Sequence, residues 1–344
     1  MATQKVISSL LDNPGRKNHV INGGMEVAQR GTSFTSGSNN DDAYTLDRFY
    51  ILSDGNDIID VTQTTTVPST ALNSIGLDVE TTNKKFGIAQ IVENNNCTGL
   101  IGNTVTLSFE AKVSATTKLD NVKAAIVSWS GTADSVTSDI ISAWGDEGTN
   151  PTLITNATYE NTPANLSVTT SFAKYSVTGT VDTSGANNII VFIWSDVTDT
   201  TAGDFLYITN VQLEVGSSAS DFEYLDITDQ KLKCYRYYYQ SDGSSAEFKI
   251  HGTGTVFQSG KCDIYFDLPT QTRSTPTVGQ SNTTIQVGAS GFPLTGISEV
   301  SGGDGGLDRL FLRCDVTGSM TVGQCGILTN NNNAAGKITV SSEL

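Results

Sequence analysis

The residues best suited to binding chemistry lie in one short stretch, SAWGDEGTNP, which runs from Ser142 to Pro151. An indole ring stacks on the apolar face of a sugar, and acid or amide groups beside it can hydrogen-bond the sugar's hydroxyls. We therefore predict a glycan-binding site made of four residues: Trp144, Asp146, Glu147 and Asn150. The other tryptophans, Trp129 and Trp194, end predicted strands and are better explained as core residues.

Groups that could perform enzyme catalysis are scarce. The chain has two histidines, His19 and His251, and it lacks a Gly-x-Ser-x-Gly elbow, a His-Glu-x-x-His pair and a phosphate loop. Paired carboxylates for glycoside hydrolysis come from distant positions, and with 36 acidic residues no pair is specific. We therefore predict a protein that binds and has no enzymatic activity.

Metal-binding patterns are weak as well. The stretches Asn39–Asp42 and Asp196–Asp204 offer oxygen ligands for a structural calcium ion, but neither follows the EF-hand pattern and solvated acidic loops explain them better. The five cysteines are widely spaced and include no Cys-x-x-Cys pair, which argues against a zinc site or a disulfide framework. We expect buried free thiols and predict no metal and no cofactor.

The net charge restricts the partners of the chain. With 20 basic and 36 acidic residues, it carries 20 − 36 = −16. Residues 1–224 hold 11 basic and 25 acidic groups, 11 − 25 = −14, so residues 225–344 account for the remaining −2. Such a surface repels phosphate backbones, which excludes nucleic acid as a main partner. No apolar run is long enough for membrane insertion, and we expect no secretory signal at the N-terminus.

Short alternating segments separated by turn residues predict an antiparallel all-β chain. The alternation is clearest in Val105–Val113, whereas the apolar run Ile189–Trp194 is typical of a central strand that is buried on both faces. We interpret Tyr207–Gly216 as the strand that closes the first domain, with its start covered on two faces and its polar end on one. The polar excursion Gly131–Thr170 is too polar for the core, and we predict that it forms an elaborated loop on one rim, where binding surfaces usually lie.

Three regions follow from these patterns. Residues 1–20 form a separate arm, residues 21–224 a jelly-roll β-sandwich, and residues 225–344 a short helical connector followed by a second, smaller β-sandwich. In the arm, apolar residues at helical spacing predict one short amphipathic turn that must dock on another surface: Ile7, Leu10 and Leu11. The pair Gly23-Gly24 predicts a bulge or a close approach of two backbones.

Several stretches, in this order, resemble a family of structural and tail-fibre-type proteins of tailed bacteriophages that is common in marine phages. They are INGGMEVAQRGTSF with YTLDRF, TLSFEAK, SWSGTADSVTSDIISAW, FIWSD, GDFLYITNVQLEVGSSASDFEY, KCYRYYYQ and DLPTQTRSTPTV. The resemblance covers most of residues 18–280. The chain departs from the family pattern at Phe49, where tryptophan is frequent, and at Cys234–Tyr237, where a Cys-Gln-Arg-Tyr run is usual; both look like packing substitutions.

The resemblance implies a carbohydrate-binding-module-like jelly roll in a virion protein that is made in the host cytoplasm. It also implies a homotrimer, with other virion proteins as its partners. We therefore expect a tail fibre or receptor-binding protein that attaches to host surface polysaccharide, with the arm docking on the virion. A capsid or tail decoration protein that stabilises the particle is the alternative. A polysaccharide depolymerase is the second alternative.

Overall fold

The computed structural model describes residues 17–183, 185–241, 247–302 and 308–344, and the regular secondary structure of these residues is almost entirely antiparallel strand. The predicted all-β class is therefore confirmed. The chain divides into two compact units: the first ends at Asp226 and also includes Leu344, and the second comprises Ile227–Glu343. No helix in the described part of the chain has the length and apolar character needed to cross a bilayer.

The first unit is a sandwich of two antiparallel sheets. Its strands are β1 (Ser33–Phe34), β2 (Tyr50–Ser53), β3 (Ile59–Thr64), β4 (Ser74–Val79), β5 (Phe86–Val92), β6 (Thr104–Val113), β7 (Val122–Trp129), β8 (Ile141–Ala143), β9 (Thr152–Leu153), β10 (Ala157–Tyr159), β11 (Ala173–Thr180), β12 (Asn188–Ser195) and β13 (Phe205–Val215). One sheet has six strands in the order β1-β3-β4-β13-β6-β11, and the other has five in the order β10-β7-β12-β5-β2. Strands β8 and β9 pair separately.

The five-stranded sheet is buried on both faces, and the polar excursion covers its outer face. The inner face packs on the six-stranded sheet, while outward side chains such as Phe192 and Trp194 pack with Val136 and Ile140 of the excursion. The prediction that Gly131–Thr170 contributes nothing to the core is therefore wrong. Its apolar residues are too dispersed in sequence to form a visible pattern, but they converge on the sheet.

Strand β13 is the last strand of the first unit, and it lies inside its sheet, between β4 and β6. Its polar half is also the more buried half, contrary to the prediction: Gln212 and Glu214 are both buried. The chain after β13 folds back over them, because the Glu223 N–H donates to Gln212 Oε1 at 2.8 Å and the Ser220 N–H donates to Glu214 Oε1 at 2.8 Å. Buried polar groups are thus satisfied by the segment that follows them.

Glu214 shows the electrostatic consequence of this fold-back. Burial by itself would raise the pKa of its carboxyl, but hydrogen bonds from Ser220 and Gln212 favour the charged form. The net effect is a pKa below the usual value. The carboxylate is therefore a structural acceptor that holds the crossing segment in place.

The double glycine has the predicted role of allowing two backbones to approach closely. A Cβ atom on Gly23 would lie 2.0 Å from the carbonyl oxygen of Val211, and the Val211 N–H donates to the Gly23 carbonyl at 3.0 Å. Nearby, Asp47 and Arg48 are buried: Asp47 accepts the Gln29 N–H at 2.7 Å, and Arg48 Nη2 donates to the Ile91 carbonyl at 2.6 Å. Both charged residues satisfy backbone groups.

The first described residues belong to the sandwich. The sequence assigned Lys17 to Val20 to the separate arm, but Val20 lies in the core and the Asn18 N–H donates to Glu223 Oε2 at 2.8 Å. The predicted arm residues Ile7, Leu10 and Leu11 lie outside the described residues.

The second unit contains one helix and a closed barrel. Its elements are α1 (Ile227–Tyr235), β14 (Tyr238–Gln240), β15 (Ile250–Gln258), β16 (Lys261–Asp267), β17 (Thr277–Ser281), β18 (Thr284–Val287), β19 (Ser290–Gly302), β20 (Arg309–Val316), β21 (Cys325–Thr329) and β22 (Lys337–Ser341). The barrel order is β15-β16-β20-β19-β18-β21, and β14-β22-β17 form a separate sheet. The helical connector is as predicted, but the sandwich is a barrel because β21 pairs with both β15 and β18.

The cysteines are free, as predicted, and all except Cys325 are buried. Burial raises the pKa of the Cys97 thiol to about 12, so this thiol stays protonated at neutral pH and behaves as a small apolar side chain.

Candidate functional site

Trp144 lies directly after β8, on the outer face of the five-stranded sheet, and its side chain is only partly exposed. Its ring packs edge-on against Phe192, with the ring centroids 6.0 Å apart and an interplanar angle of 63°. Phe192 in turn stacks on the buried Trp194 at 4.4 Å. The Trp144 indole is therefore held by an aromatic stack and keeps part of its surface exposed. Trp129 and Trp194 are buried, which confirms their prediction as core residues.

Beneath this loop, two lysines and one aspartate form a buried ion cluster. Lys85 Nζ lies 2.5 Å from Asp196 Oδ1, and Lys123 Nζ lies 2.6 Å from Asp196 Oδ2. The side chains of Lys85 and Asp196 are 1% and 0% exposed, so water screens this pair much less than it screens a surface pair. Removing such charges from water is costly, and the cluster persists only because every charge has close partners.

Sheet register explains why these three residues meet. Lys85 immediately precedes β5, Lys123 is the second residue of β7, and Asp196 immediately follows β12. Strand β12 lies between the other two, with Ser195 opposite both Phe86 and Val122. The three charged side chains therefore converge at one end of the sheet.

The cluster holds the backbone of the predicted glycan-binding loop. Lys85 Nζ donates to the carbonyls of Asp146 and Thr149 at 2.6 and 3.1 Å. Asp196 Oδ2 accepts the Gly148 N–H at 3.0 Å. Carbonyls supply the additional acceptors that an ammonium with three donors requires. The loop is consequently pinned from below at several points along its backbone.

The structure brings the four predicted residues together, but it uses two of their side chains internally. Asn150 Oδ1 accepts a hydrogen bond from Lys123 Nζ at 3.0 Å, and Glu147 Oε2 accepts from the Thr198 hydroxyl at 2.8 Å. The exposed Asp146 carboxylate accepts no hydrogen bond from the described residues. The groups available to a ligand at this site are therefore the outer face of Trp144 and the carboxylate of Asp146.

The two stretches that offered oxygen ligands for calcium have different surroundings in the structure. In Asp196–Asp204, the carboxylates have other partners: Asp196 binds the two buried lysines and Asp199 pairs with Lys118 at 3.0 Å. This stretch is therefore not a shared ligand set, because the partners of its carboxylates lie far away in sequence.

In the other calcium candidate, Asn39 Nδ2 donates to Asp57 Oδ1 at 2.8 Å and to Asp60 Oδ1 at 3.2 Å. Carboxylate oxygens of Asp57, Asp60 and Glu80 lie within 4.8 Å of one another. The charges of Asp60 and Asp57 raise the pKa of Glu80. Asn39 thus donates its amide N–H to an acidic cluster. The sequence did not reveal this cluster, because its carboxylates come from β3 and from the residues beside β3 and β4.

No family model matches the chain, and no curated protein matches it. Among solved structures, the enzymatically active domain of tailspike protein 4 of bacteriophage CBA120 is similar over 58% of this chain and 21% of that chain, at 18% identity and a TM-score of 0.33. TmCBM61 in complex with β-1,4-galactotriose covers 58% of this chain and 100% of its own, at 14% identity and a TM-score of 0.30.

A third structure, the CBM22-1–CBM22-2 tandem domain of Paenibacillus barcinonensis Xyn10C, covers 96% of this chain and 98% of its own, at 11% identity and a TM-score of 0.32. This chain thus spans about a fifth of the length of the tailspike domain. At such TM-scores these likenesses support no conclusion about site or ligand.

Proposed function

We propose that the chain is a non-catalytic glycan-binding protein of a tailed-phage virion, acting as a tail fibre or receptor-binding protein on host surface polysaccharide. The observation that carries the glycan-binding part is the partly exposed Trp144 ring on a loop whose backbone is held by buried charges. An aromatic ring that is already immobile loses little entropy when a sugar stacks on it.

The unpaired Asp146 carboxylate supports the same ligand class. It lies two residues from Trp144, faces solvent, and can accept hydrogen bonds from sugar hydroxyls. The acidic surface disfavours anionic ligands, so a neutral polysaccharide fits this site best.

The arrangement at the loop also favours binding over hydrolysis. Glycosidases need two carboxyl groups at a defined separation, one of them able to give or take a proton. Glu147 is engaged by Thr198, which leaves Asp146 as the available carboxylate of the loop. We therefore propose a receptor binder in preference to a depolymerase.

The virion location and the homotrimer belong to the same proposal and rest on the sequence resemblance. Docking through Ile7, Leu10 and Leu11 belongs to it as well and rests on their helical spacing. Deletion of residues 1–16 should leave a folded protein that fails to join virions. Immunogold labelling of purified particles, combined with this truncation, tests the placement. Normal incorporation of the truncated chain would contradict the docking role.

The glycan-binding part is tested by retention of purified protein in gels that contain host surface polysaccharide. Trp144→Ala should lose most of the retention, whereas Trp144→Phe should keep part of it because a ring remains. Unfolding curves of each variant verify that the fold is intact. Equal retention of Trp144→Ala and the natural protein would contradict a binding role for the loop.

A further inference from the structure

A cavity of about 450 Å³ lies on the outer face of the six-stranded sheet, away from the Trp144 loop. Strands β6, β11 and β13 contribute Glu110, Lys174 and Asn210 to its lining, and the segment after β13 contributes Phe222 and Tyr224. The volume is in the range of small-ligand sites. The cavity lies within the first unit.

A β-bulge places the central polar residue of this cavity. Thr209 lies opposite Glu110 and Gln212 lies opposite Ser108, so two residues of β13 stand against one of β6. Asn210, the first residue of the bulge, has φ +51°. Bulges of this kind redirect a side chain, and left-handed backbone at a non-glycine residue is retained where the surroundings enforce it.

Asn210 has hydrogen-bonding capacity that the described residues leave unused. The residue is only 4% exposed, and its Nδ2 donates to Glu110 Oε2 at 2.6 Å and to the Thr70 carbonyl at 3.1 Å. Its Oδ1 is buried and has no hydrogen-bond partner among the described residues. A buried acceptor without a donor is costly, which makes it a ready partner for a ligand donor.

Glu110 leaves a second acceptor available beside it. Its Oε2 accepts from the Thr70 hydroxyl at 2.5 Å as well as from Asn210. Its other carboxylate oxygen accepts no hydrogen bond from the described residues. The cavity therefore presents two oxygen acceptors, one from an amide and one from a carboxylate, that a ligand with hydroxyl donors would satisfy together.

An aromatic wall closes one side of the cavity. The rings of Phe222 and Tyr224 meet edge to face, with centroids 4.9 Å apart. Phe222 rests against the double glycine, since a Cβ atom on Gly23 would lie 3.3 Å from its ring. Tyr224 is 58% exposed, so the wall offers apolar surface next to the polar floor.

Other ligand classes fit the cavity less well. A purely apolar molecule would leave both acceptors unpaired, and the charge of Glu110 disfavours an anion. A metal cation is disfavoured because the Asn210 amide N–H already occupies the space against Glu110 Oε2 and the Lys174 ammonium lies in the lining. A ring with an apolar face and several hydroxyl groups matches the floor and the wall at once.

We propose that this cavity is a second glycan-binding site, which takes one pyranose residue. Two of its hydroxyls donate to Asn210 Oδ1 and to Glu110, and its C–H face packs on Phe222 and Tyr224. The site goes beyond the Trp144 loop and rests on the proposed function only in the choice of a glycan as the ligand class.

The experiment uses the full chain labelled with ¹⁵N and methyl glycosides of glucose, galactose, mannose and N-acetylglucosamine as probes, with glycerol as a hydroxyl-bearing control that has no ring. The side-chain amide signal of Asn210 reports on the cavity, and the indole signal of Trp144 reports on the loop. We expect at least one glycoside to shift the Asn210 signal and glycerol to have no effect at the same concentration.

Variants then assign the shift to the cavity. Glu110→Gln should weaken the apparent affinity at Asn210 by about tenfold, the loss expected for one hydrogen bond to a charged group. Glu80→Gln is the matched control, because it makes the same chemical change at an exposed site outside the lining. Trp144→Ala should leave the Asn210 response unchanged.

The outcomes separate the two proposals. Shifts at Trp144 alone would overturn the second site and leave the proposed function standing. An apparent affinity at Asn210 that is unchanged in Glu110→Gln, or shifts at Asn210 that glycerol reproduces, would also overturn it. A response at neither position to any glycoside would overturn both the second site and monosaccharide binding at the loop.

Discussion

The Trp144 loop and the Asn210 cavity lie on different sheets of one sandwich. They differ in whether their buried polar groups have hydrogen-bond partners within the protein. At the loop, Lys85, Lys123 and Asp196 bind one another and the loop backbone. At the cavity, Asn210 Oδ1 has no partner among the described residues. The ion cluster therefore fixes the conformation of the loop, whereas the cavity retains an acceptor to which a ligand could donate a hydrogen bond.

The difference indicates how the two regions would contribute to recognition. A pinned loop that offers mainly a ring face gives stacking, which tolerates many sugars because it reads few hydroxyls. A cavity with unpaired acceptors discriminates strongly, since a ligand that lacks the matching donors leaves them unsatisfied. We therefore expect the loop to contribute affinity and the cavity to contribute selectivity.

The largest expected effect is at the buried ion cluster. Asp196→Ala leaves Lys85 and Lys123 buried without their counter-ion and should lower the free energy of unfolding by about 3–5 kcal/mol. Asp199→Ala is the control, because its pair with Lys118 is largely exposed and should be worth about 0–1 kcal/mol. Urea unfolding of both variants makes the comparison, and equal losses would show that the cluster does not hold the loop.

The next largest effect concerns Gly23, against which Phe222 of the cavity wall packs. Gly23→Ala places a methyl group 2.0 Å from the Val211 carbonyl oxygen and should cost about 1–3 kcal/mol. Gly24→Ala is the matched control, because the nearest atom to its added methyl is 3.6 Å away and the change should stay within about 0.5 kcal/mol. Thermal unfolding separates the two, and indistinguishable midpoints would contradict the close approach of the two backbones.

Trp144→Ala should have a moderate effect on stability together with its loss of glycan retention. The ring is partly buried against Phe192, so we expect a loss of about 1–2 kcal/mol, below the cost of truncating a fully buried aromatic residue. Unfolding in urea measures the loss. A cost as large as that of Asp196→Ala would mark Trp144 as a core residue and remove the loop from the binding surface.

The smallest effect concerns Asp42, which also has a buried oxygen without a partner among the described residues. Burial, with the charges of Asp41 and Asp139, raises the pKa of its carboxyl to about 7. Because this value exceeds that of the unfolded chain, the folded state binds more protons between about pH 4 and 7, and stability falls as the pH rises through this window.

Asp42→Asn should therefore stabilise the protein above pH 7 by about 1 kcal/mol, a discounted value because the carboxyl is partly exposed and screened. The gain should vanish near pH 4, where Asp42 is protonated in the folded state. Unfolding midpoints of the two proteins across this range provide the measurement. A gain that is independent of pH would show that the charge is not its cause.

The sequence predicts the framework well where a pattern is local. The alternation of Val105–Val113 and the apolar run Ile189–Trp194 predict β6 and β12 to within one residue at each end, because each strand carries its own signal. The excursion was harder, since Val136 and the pair Ile140-Ile141 are separated by polar residues and the burial of Val136 and Ile140 depends on the sheet that they contact.

The candidate site was predicted less completely, because its chemistry is non-local. Trp144 and Asp146 stand out by residue type, but Lys85 and Asp196 are 111 positions apart and only the sheet register joins them. Asn210 lies in what the sequence presents as the exposed face of a strand. Phe222 and Tyr224 line the same cavity, although they look like connector residues until the chain folds back.

The central claim is that the first unit binds glycans at two separate places. Affinity electrophoresis in gels with and without purified host surface polysaccharide tests it most directly, using the natural protein, Trp144→Ala, Glu110→Gln, the double variant and the Glu80→Gln control. We predict retardation of the natural protein and of the control, partial loss in each single variant and complete loss in the double variant. Retardation of the double variant equal to that of the natural protein, or no retardation of any protein, would contradict the claim.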